Sequence, residues 1–482
     1  MRRKKRNNEI IQEVQLIDAS SDGNAVGKTG EKVIFVKYGV PGDIADVKIT
    51  GDKRRFFEGT IEQLIQASPD RTDPFCPHFG ICGGCKWQNM EYSKQLFYKE
   101  KQVKDAFERI GKLEWKEWLP IIGSEKETEY RNKLEFTFSQ EVWLSSKHFD
   151  KSKEGEITPA LGFHAPGRFD KILEIDSCLL MDDINNQIRN SVRTFALKNN
   201  LSFFHIRKQE GFLRNMVIRT TTTGEIMLIL IFFYEDETNR LKILNHIQSE
   251  FPQITSLLYI INDKKNDSYS DLPVHPFQGN EFITEKMNDL HFRISPKAFF
   301  QTNTRQAIKL YQTAFDFAEL SGNENVYDLY TGTGTIANFI AKKAKNVIGI
   351  EYIPEAIEDA KINSQINNIT NTVFYAGDMK EILNEKIFEK HGKPDVIITD
   401  PPRAGMHEDV VNTILKAAPE KIVYVSCNPA TQARDLALMK DSYEIVKVQP
   451  VDMFPHTHHV ENVTLLQKKL NYSILNQINF DD

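Results

Sequence analysis

Cysteine is scarce in this 482-residue sequence, which has five. So few thiols over such a length cannot staple a disulfide scaffold, and an odd number cannot pair completely, which excludes the small secreted frameworks and fits a reducing compartment. They read better as ligands or nucleophiles. Long apolar runs are missing as well: no stretch approaches the roughly 18–20 residues that span a bilayer. The basic start Met1–Arg6 runs into Asn7, Asn8 and Glu9 instead of an apolar export core. A soluble, cytoplasmic protein with no membrane attachment is expected. Strong charge of either sign is absent too, the net being −6, so any nucleic-acid partner has to be argued from local features. Internal repeats and low-complexity tracts are lacking, and nothing in the sequence implies a protein partner or sets an oligomeric state.

What is present is a globular composition, 40% hydrophobic and 27% charged, in a chain too long for a single core at about 100–200 residues per domain. Up to Ala67 there are twelve basic and ten acidic residues, a balance of +2 against −8 for the remainder. That front region shows short β-runs at Ile10–Ile17, Val33–Tyr38, Asp43–Thr50 and Gly59–Gln66, broken at Ser20–Asn24, Pro41–Gly42 and Gly51–Asp52. Four or five such strands predict a small barrel. Its tract Lys53-Arg54-Arg55-Phe56-Phe57 places cations beside aromatics, as a surface that tracks phosphates and stacks bases requires; a solvated hairpin tip is the plainer alternative.

Residues 69–290 begin with three cysteines and a basic helical segment near Ser93–Ile110, then turn strand-rich at Lys133–Phe138, Met216–Thr221 and Ile226–Phe233. An α+β central domain is expected there. After His291 the texture changes to short apolar runs, Val326–Leu329, Val347–Ile350, Val396–Thr399 and Ile422–Val425, separated by amphipathic helical sequence. That pattern predicts a parallel α/β domain over 291–482.

Asp328-Leu329-Tyr330-Thr331-Gly332-Thr333-Gly334-Thr335 follows the first of these runs and precedes a helical pattern, so its glycines let backbone approach a ligand at a helix N-terminus. Glu351 ends the next strand, seventeen residues after Gly334, where a carboxylate accepts ribose hydroxyls. Neither the dinucleotide nor the triphosphate glycine motif is satisfied. S-adenosylmethionine (SAM), which has a ribose and no phosphate, suits the loop better. Asp378 follows the Val373–Tyr375 run and can accept from an adenine amino group. Asp400-Pro401-Pro402-Arg403 ends a further strand at the same carboxyl edge, with two prolines fixing a rigid loop. A comparable acidic or amide residue followed by Pro-Pro occurs in amino-group methyltransferases, so the tetrad alone does not name the methylated atom.

Ser426-Cys427-Asn428-Pro429 puts a lone thiol at the next strand end. A structural buried cysteine is the bland alternative. The chemical one is methylation at carbon 5 of a pyrimidine: a thiolate adding to carbon 6 makes carbon 5 nucleophilic, and a base then removes the hydrogen from carbon 5. Pro455-His456-Thr457-His458-His459-Val460-Glu461 supplies candidates for the base, of which Glu461 is preferred. The histidines could bind zinc, but no matched carboxylate or cysteine set accompanies them.

Together Asp400–Arg403, the run from Val425 to Thr431, and Pro455–Glu461 closely resemble the RNA 5-methyluridine methyltransferase family, with the likeness spanning nearly the whole chain and including Ser295–Asn303. The resemblance implies SAM contacts at Gln301, Tyr330, Thr335, Glu351, Asp378 and Asp400. It implies Cys427 as nucleophile and Glu461 as general base. Thr331 departs from the family, which often has a cysteine there.

Cys76, Cys82, Cys85 and Cys178 offer four thiolates, a set that serves an iron–sulfur cluster or an all-cysteine zinc site. The family branch with this spacing is similar to those holding a [4Fe–4S] cluster. The barrel resembles a TRAM domain, an OB-like RNA-binding module, and barrel plus cluster resembles the branch acting on 23S ribosomal RNA. Tyr130-Arg131-Asn132-Lys133 resembles a segment that faces RNA. The expectation is thus a multidomain α/β protein: an OB-like β-barrel over 1–68, an α+β domain with an iron–sulfur site, and a Rossmann-like class I methyltransferase domain. The same chemistry on transfer RNA, methylation of a nitrogen, and a non-catalytic RNA-binding or assembly role are the alternatives.

Overall fold

A computed structural model describes residues 9–30, 32–143 and 159–469; the basic start Met1–Arg6 lies outside them. Strands β1 (Ile10–Ala19), β2 (Ala25–Thr29), β3 (Lys32–Lys37), β4 (Ile44–Asp52) and β5 (Phe56–Gln66) close into a barrel in the order β1-β2-β3-β5-β4. Alternation drives the closure, since side chains two apart share a face: Val14 with Leu16, Ile34 with Val36, and Ala45 with Val47 are all buried inside. β2 is not among the expected runs. It has five residues, and its Gly27 sits where a Cβ would come 2.7 Å from a Val14 methyl, so too little alternation remains to read. The expected stacking pair is partly used within the barrel: Phe56 lies edge-on to Phe35 at 5.2 Å, and the Lys32 ammonium sits 4.4 Å over the Phe57 ring. Arg54 and Arg55 remain exposed.

After the cysteine-bearing loop, helix α1 (Tyr92–Ala106) ends in one π-helical turn, Phe107–Gly111, and leads to the short strand β6 (Trp115–Trp118). A seven-stranded sheet follows, built from β7 (Lys133–Ser139), β8 (Ala160–His164), β9 (Ile172–Glu174), β10 (Leu213–Thr220), β11 (Ile226–Phe232), β12 (Ser256–Ile261) and β13 (His275–Gly279), in the order β13-β12-β11-β10-β7-β8-β9. Helices α2 (Asp183–Lys198) and α3 (Glu237–Glu250) cover one face through Ile188, Val192, Ile243 and Ile247. The other face shares a core with the C-terminal unit, Val217, Met227 and Ile229 joining Leu310, Ala314 and Ile336. This double coverage explains why every residue of β10 and β11 is buried.

A hairpin, β14 (Ile283–Met287) and β15 (Leu290–Ile294), and helix α4 (Thr304–Ala318) lead into the C-terminal sheet. Its strands are β16 (Asn325–Leu329), β17 (Asn346–Glu351), β18 (Thr372–Ala376), β19 (Val396–Thr399), β20 (Lys421–Ser426), β21 (Tyr443–Val451) and β22 (Glu461–Lys468). Helices α5 (Thr335–Ala341), α6 (Pro354–Ile366), α7 (Met379–Ile382), α8 (Glu385–His391), α9 (Glu408–Ala417) and α10 (Pro429–Met439) connect them. The order is β18-β17-β16-β19-β20-β22-β21-β6, eight strands with β22 antiparallel to both neighbours. Strand order reverses at β16, so the ligand crevice is expected at the carboxyl ends of β16 and β19.

The eighth strand comes from elsewhere in the chain. Trp115 and Trp118 pair in parallel with Ile445 and Val448, and Val103, Phe107 and Leu113 share a core with Tyr327, Ile348 and Ile422. Residues 69–290 are therefore not one unit in space. A four-residue strand, too short to show a period, hides this in the sequence.

Candidate active site

Chain direction reverses sharply after β16. Tyr330 takes a left-handed backbone, φ +64°, followed by Gly332 at +55° and Gly334 at +75°. At Gly334 a Cβ would stand 2.9 Å from that of Ala360, so glycine lets α5 pack against α6; at Gly332 the space is open. Glu351 braces the turn, accepting from Gly332 N–H at 3.2 Å and from Ile353 N–H at 3.1 Å. The turn faces a cavity of about 1790 Å³ between the central sheet and the C-terminal unit. Gln301, Tyr330, Glu351, Asp400, Cys427 and Glu461 line it, and so do Cys76, Cys82, Cys85, Cys178 and Arg131.

Two residues expected at the cofactor stand apart from this wall. Asp378 caps α7, accepting from Lys380 N–H at 3.0 Å, and lines an adjoining cavity of about 200 Å³ that shares Tyr330 with the larger one. Thr335 lines neither; its hydroxyl is 3.3 Å from that of Thr333, and Thr333 reaches the cavity.

Register sets the reacting pair. Ser426 pairs with Asn462 across the β20–β22 ladder, and one step further in antiparallel register brings Cys427 opposite Glu461. Burial pushes the Glu461 carboxyl up to about 8, helped by Asp400 and opposed by Arg403. Asp400 is pushed up to about 7 by burial and by Asp328. Burial also raises Asp328 to about 7, against hydrogen bonds from the Thr331 hydroxyl at 2.5 Å and Ala337 N–H at 3.0 Å. The Cys427 thiol is pushed up to about 12 by burial, then by Glu461 and Asp400, with Arg403 opposing. These are acids crowded together out of water, an arrangement that a cation between them relaxes.

Tyr311, on α4, was not anticipated. Its buried hydroxyl is hydrogen-bonded to the Gln301 side chain, and burial with Asp400, Glu461 and Asp328 nearby holds its proton firmly. A tyrosine at a core position of an amphipathic helix needs a partner for its hydroxyl, and that was the one available signal. The three histidines before Glu461 are neutral: burial lowers His456 to about 4, His458 to about 3 and His459 to about 4.

The four other cysteines line the same cavity; burial, and then the neighbouring cysteines, push the Cys82 thiol up to about 11 and the Cys85 thiol up to about 12. Among the described residues, however, no group of three or more His, Cys, Asp or Glu is spaced to hold a metal ion. The expected iron–sulfur site thus draws no support from the sulfur positions, because these thiols sit in coil that no ladder locks.

Residues 277–469 match the tRNA (uracil-5-)-methyltransferase family, and residues 6–61 the TRAM domain. An uncharacterized RNA methyltransferase of Bacteroides thetaiotaomicron is 55% identical over 451 residues, covering 93% of this chain and 99% of its own. A second, from Porphyromonas gingivalis, is 53% identical over 461 residues, covering 94% and 99%. The chain belongs to the RNA uracil-5-methyltransferase family. Among solved structures, the Pyrococcus abyssi tRNA (uracil-54, C5)-methyltransferase in complex with S-adenosyl-L-homocysteine superposes with a TM-score of 0.72 at 28% identity, covering 95% of this chain and 100% of that one. This RNA methyltransferase therefore uses SAM, and its barrel is a TRAM domain. Among its described residues no helix is long and apolar enough to cross a membrane.

Proposed function

We propose that this enzyme methylates carbon 5 of a uridine in 23S ribosomal RNA, with Cys427 as nucleophile and Glu461 as base. The mechanistic part is supported by the end of the β20–β22 ladder, where the last pair, Ser426 with Asn462, leaves Cys427 and Glu461 as the next residues on the two strands. Bound SAM supplies the methyl group and a sulfonium charge. Gln301, Tyr330, Glu351 and Asp400, which line the cavity wall, would hold it, with Asp378 at the adjoining cavity and Thr335 supporting the turn through Thr333. A cation beside Asp400, Glu461 and Cys427 favours their charged forms, which both nucleophile and base require.

The Cys427 thiolate adds to carbon 6 of the uracil, and the displaced electron pair makes carbon 5 nucleophilic. Carbon 5 takes the methyl group, leaving S-adenosylhomocysteine. Glu461 then removes the proton from carbon 5, the carbon 5–carbon 6 double bond re-forms, and the cysteine sulfur departs. Arg131 on the cavity wall, with Lys133 two residues further along the chain, is suited to the phosphates of a strand whose uridine is flipped toward Cys427.

Cys76, Cys82, Cys85 and Cys178 would hold a [4Fe–4S] cluster, the alternative being zinc. This reading rests on donor chemistry and not on sulfur spacing: four thiols line one cavity, and backbone donors meet two of the sulfurs, Gly84 at Cys82 and Leu180 with Met181 at Cys178. Such a group would tie the 76–85 loop to the central domain. The pairing of TRAM barrel with four cysteines supports ribosomal RNA; the named substrate of the Pyrococcus abyssi structure supports transfer RNA as the second reading. Mass spectrometric mapping of 5-methyluridine in both RNAs from a deletion strain decides: loss of one 23S site is expected, and loss confined to transfer RNA overturns the ribosomal assignment.

A further inference from the structure

The connection Asp452–Val460 between β21 and β22 ends at Glu461, and one face of α1 grips it. Tyr92, Gln95, Lys99 and Gln102 recur at helical spacing, so their side chains form a single stripe. Tyr92 donates its hydroxyl to Asp452 Oδ2 at 2.8 Å. Gln95 Oε1 accepts from His456 N–H at 2.8 Å. Lys99 Nζ donates to Asp452 Oδ1 at 2.5 Å and to the Phe454 carbonyl at 2.9 Å, and Gln102 donates to the His458 carbonyl at 3.2 Å.

The stripe is costly as a packing device. Gln95, Lys99 and Asp452 are all 0% exposed, and a buried ion pair stabilises a fold little or not at all compared with apolar side chains of equal size. The gripped loop is itself held in an unfavoured shape: His456 has φ +65° although it is not glycine, a conformation that persists only where surroundings over-determine it. Its carbonyl also accepts from Lys86 and Trp87 N–H at 2.9 and 3.0 Å, immediately after Cys85.

We infer that the buried polar stripe of α1, with Lys99 at its centre, positions Glu461 for removing the proton from carbon 5. Lys99 is a positioning residue that acts through Asp452 and the loop. The inference rests on Glu461 being the base. It separates two steps: addition of Cys427 and methyl transfer need no base at Glu461, whereas release of the covalent intermediate does.

The test follows both phases in the full-length enzyme with RNA and SAM, reading formation and decay of the denaturant-resistant protein–RNA adduct. In Lys99→Met, formation should stay within about twofold while decay slows on the order of tenfold to a hundredfold, the scale of a small misplacement of a reacting group. Lys99→Arg should recover part of the decay rate. Tyr92→Phe keeps the ring and removes only the hydroxyl, so it settles the matter if Lys99→Met does not fold; a severalfold slower decay with unchanged formation is expected. Formation and decay slowing in parallel, or decay unchanged in Tyr92→Phe and Lys99→Met, overturns the inference. Glu461→Gln runs alongside. If it accumulates adduct and the stripe variants do not, the inference alone fails; if it accumulates none, the reading of Glu461 as base fails.

Discussion

In one part of the cavity wall Asp400, Cys427 and Glu461 stand at strand ends or one residue beyond them, with Asp328 buried in β16 behind; in another, Cys76, Cys82, Cys85 and Cys178 sit in coil. The first set is held by ladders that exist whatever is bound, which is why its geometry and its crowding of acids are already in place. The second is tied by side chains reaching in, Gln88 to Cys76 N–H at 3.2 Å and Asn186 to Cys178 N–H at 2.8 Å. Strand ends pre-organise chemistry, whereas coil cysteines need a ligand to draw them together.

Removing a thiol should break the coil end and leave the strand end standing. Cys82→Ser, purified anaerobically, is expected to lose essentially all iron and sulfide and to become protease-sensitive between Arg71 and Glu91, with SAM affinity within about twofold of the parent. A parallel collapse of SAM binding would show that the two ends are not independent, and zinc in the parent in place of iron would replace the cluster.

Acid crowding at the strand end predicts a pH effect. A carboxyl raised in the folded protein binds more protons there than in the unfolded chain, so its contribution to stability falls as pH climbs from about 4 and is lost above the folded value. With Asp328 and Asp400 near 7 and Glu461 near 8, the SAM-free enzyme should lose stability between about pH 4 and 8. Asp400→Asn should recover about 1–2 kcal/mol at pH 8.5 while weakening SAM binding, measurable by denaturant unfolding across the pH range. A flat profile in the parent would remove the crowding argument.

Much of the strand end was legible because a buried parallel strand, a glycine turn and a carboxylate at the next strand end follow one another at fixed spacing. Asp400, Cys427 and Glu461 stood out for the same reason, each beside an apolar run. Tyr311 and the α1 stripe were not legible, because their partners Gln301, Asp452 and His456 are brought near only by the fold. Nor was β6, which adds Trp115–Trp118 to a sheet whose other strands begin more than two hundred residues later. Thr335 opens α5 behind the cavity wall, its hydroxyl 3.3 Å from that of Thr333, the residue two before it that lines the cavity. At the coil end four cysteines could be grouped by chemistry, but no periodicity specifies where coil puts a sulfur.

The smallest expected effect lies outside both ends. Arg54 and Arg55 are exposed on the barrel while Phe56 and Phe57 are engaged within it, so the barrel should contribute phosphate contacts more than stacking. Replacing both arginines with alanine should weaken RNA binding about threefold and flatten its salt dependence, leaving SAM binding unchanged. An unchanged salt slope would take the barrel tip out of the interface.

In the proposed mechanism Cys427 adds to carbon 6 of the uracil and so makes carbon 5 able to take the methyl group. The most direct test of that role is nucleoside mass spectrometry of RNA incubated with SAM and either the parent enzyme or Cys427→Ala. 5-Methyluridine is expected with the parent and none with the variant, although the variant still binds SAM; undiminished 5-methyluridine from Cys427→Ala would contradict the role of Cys427 as nucleophile.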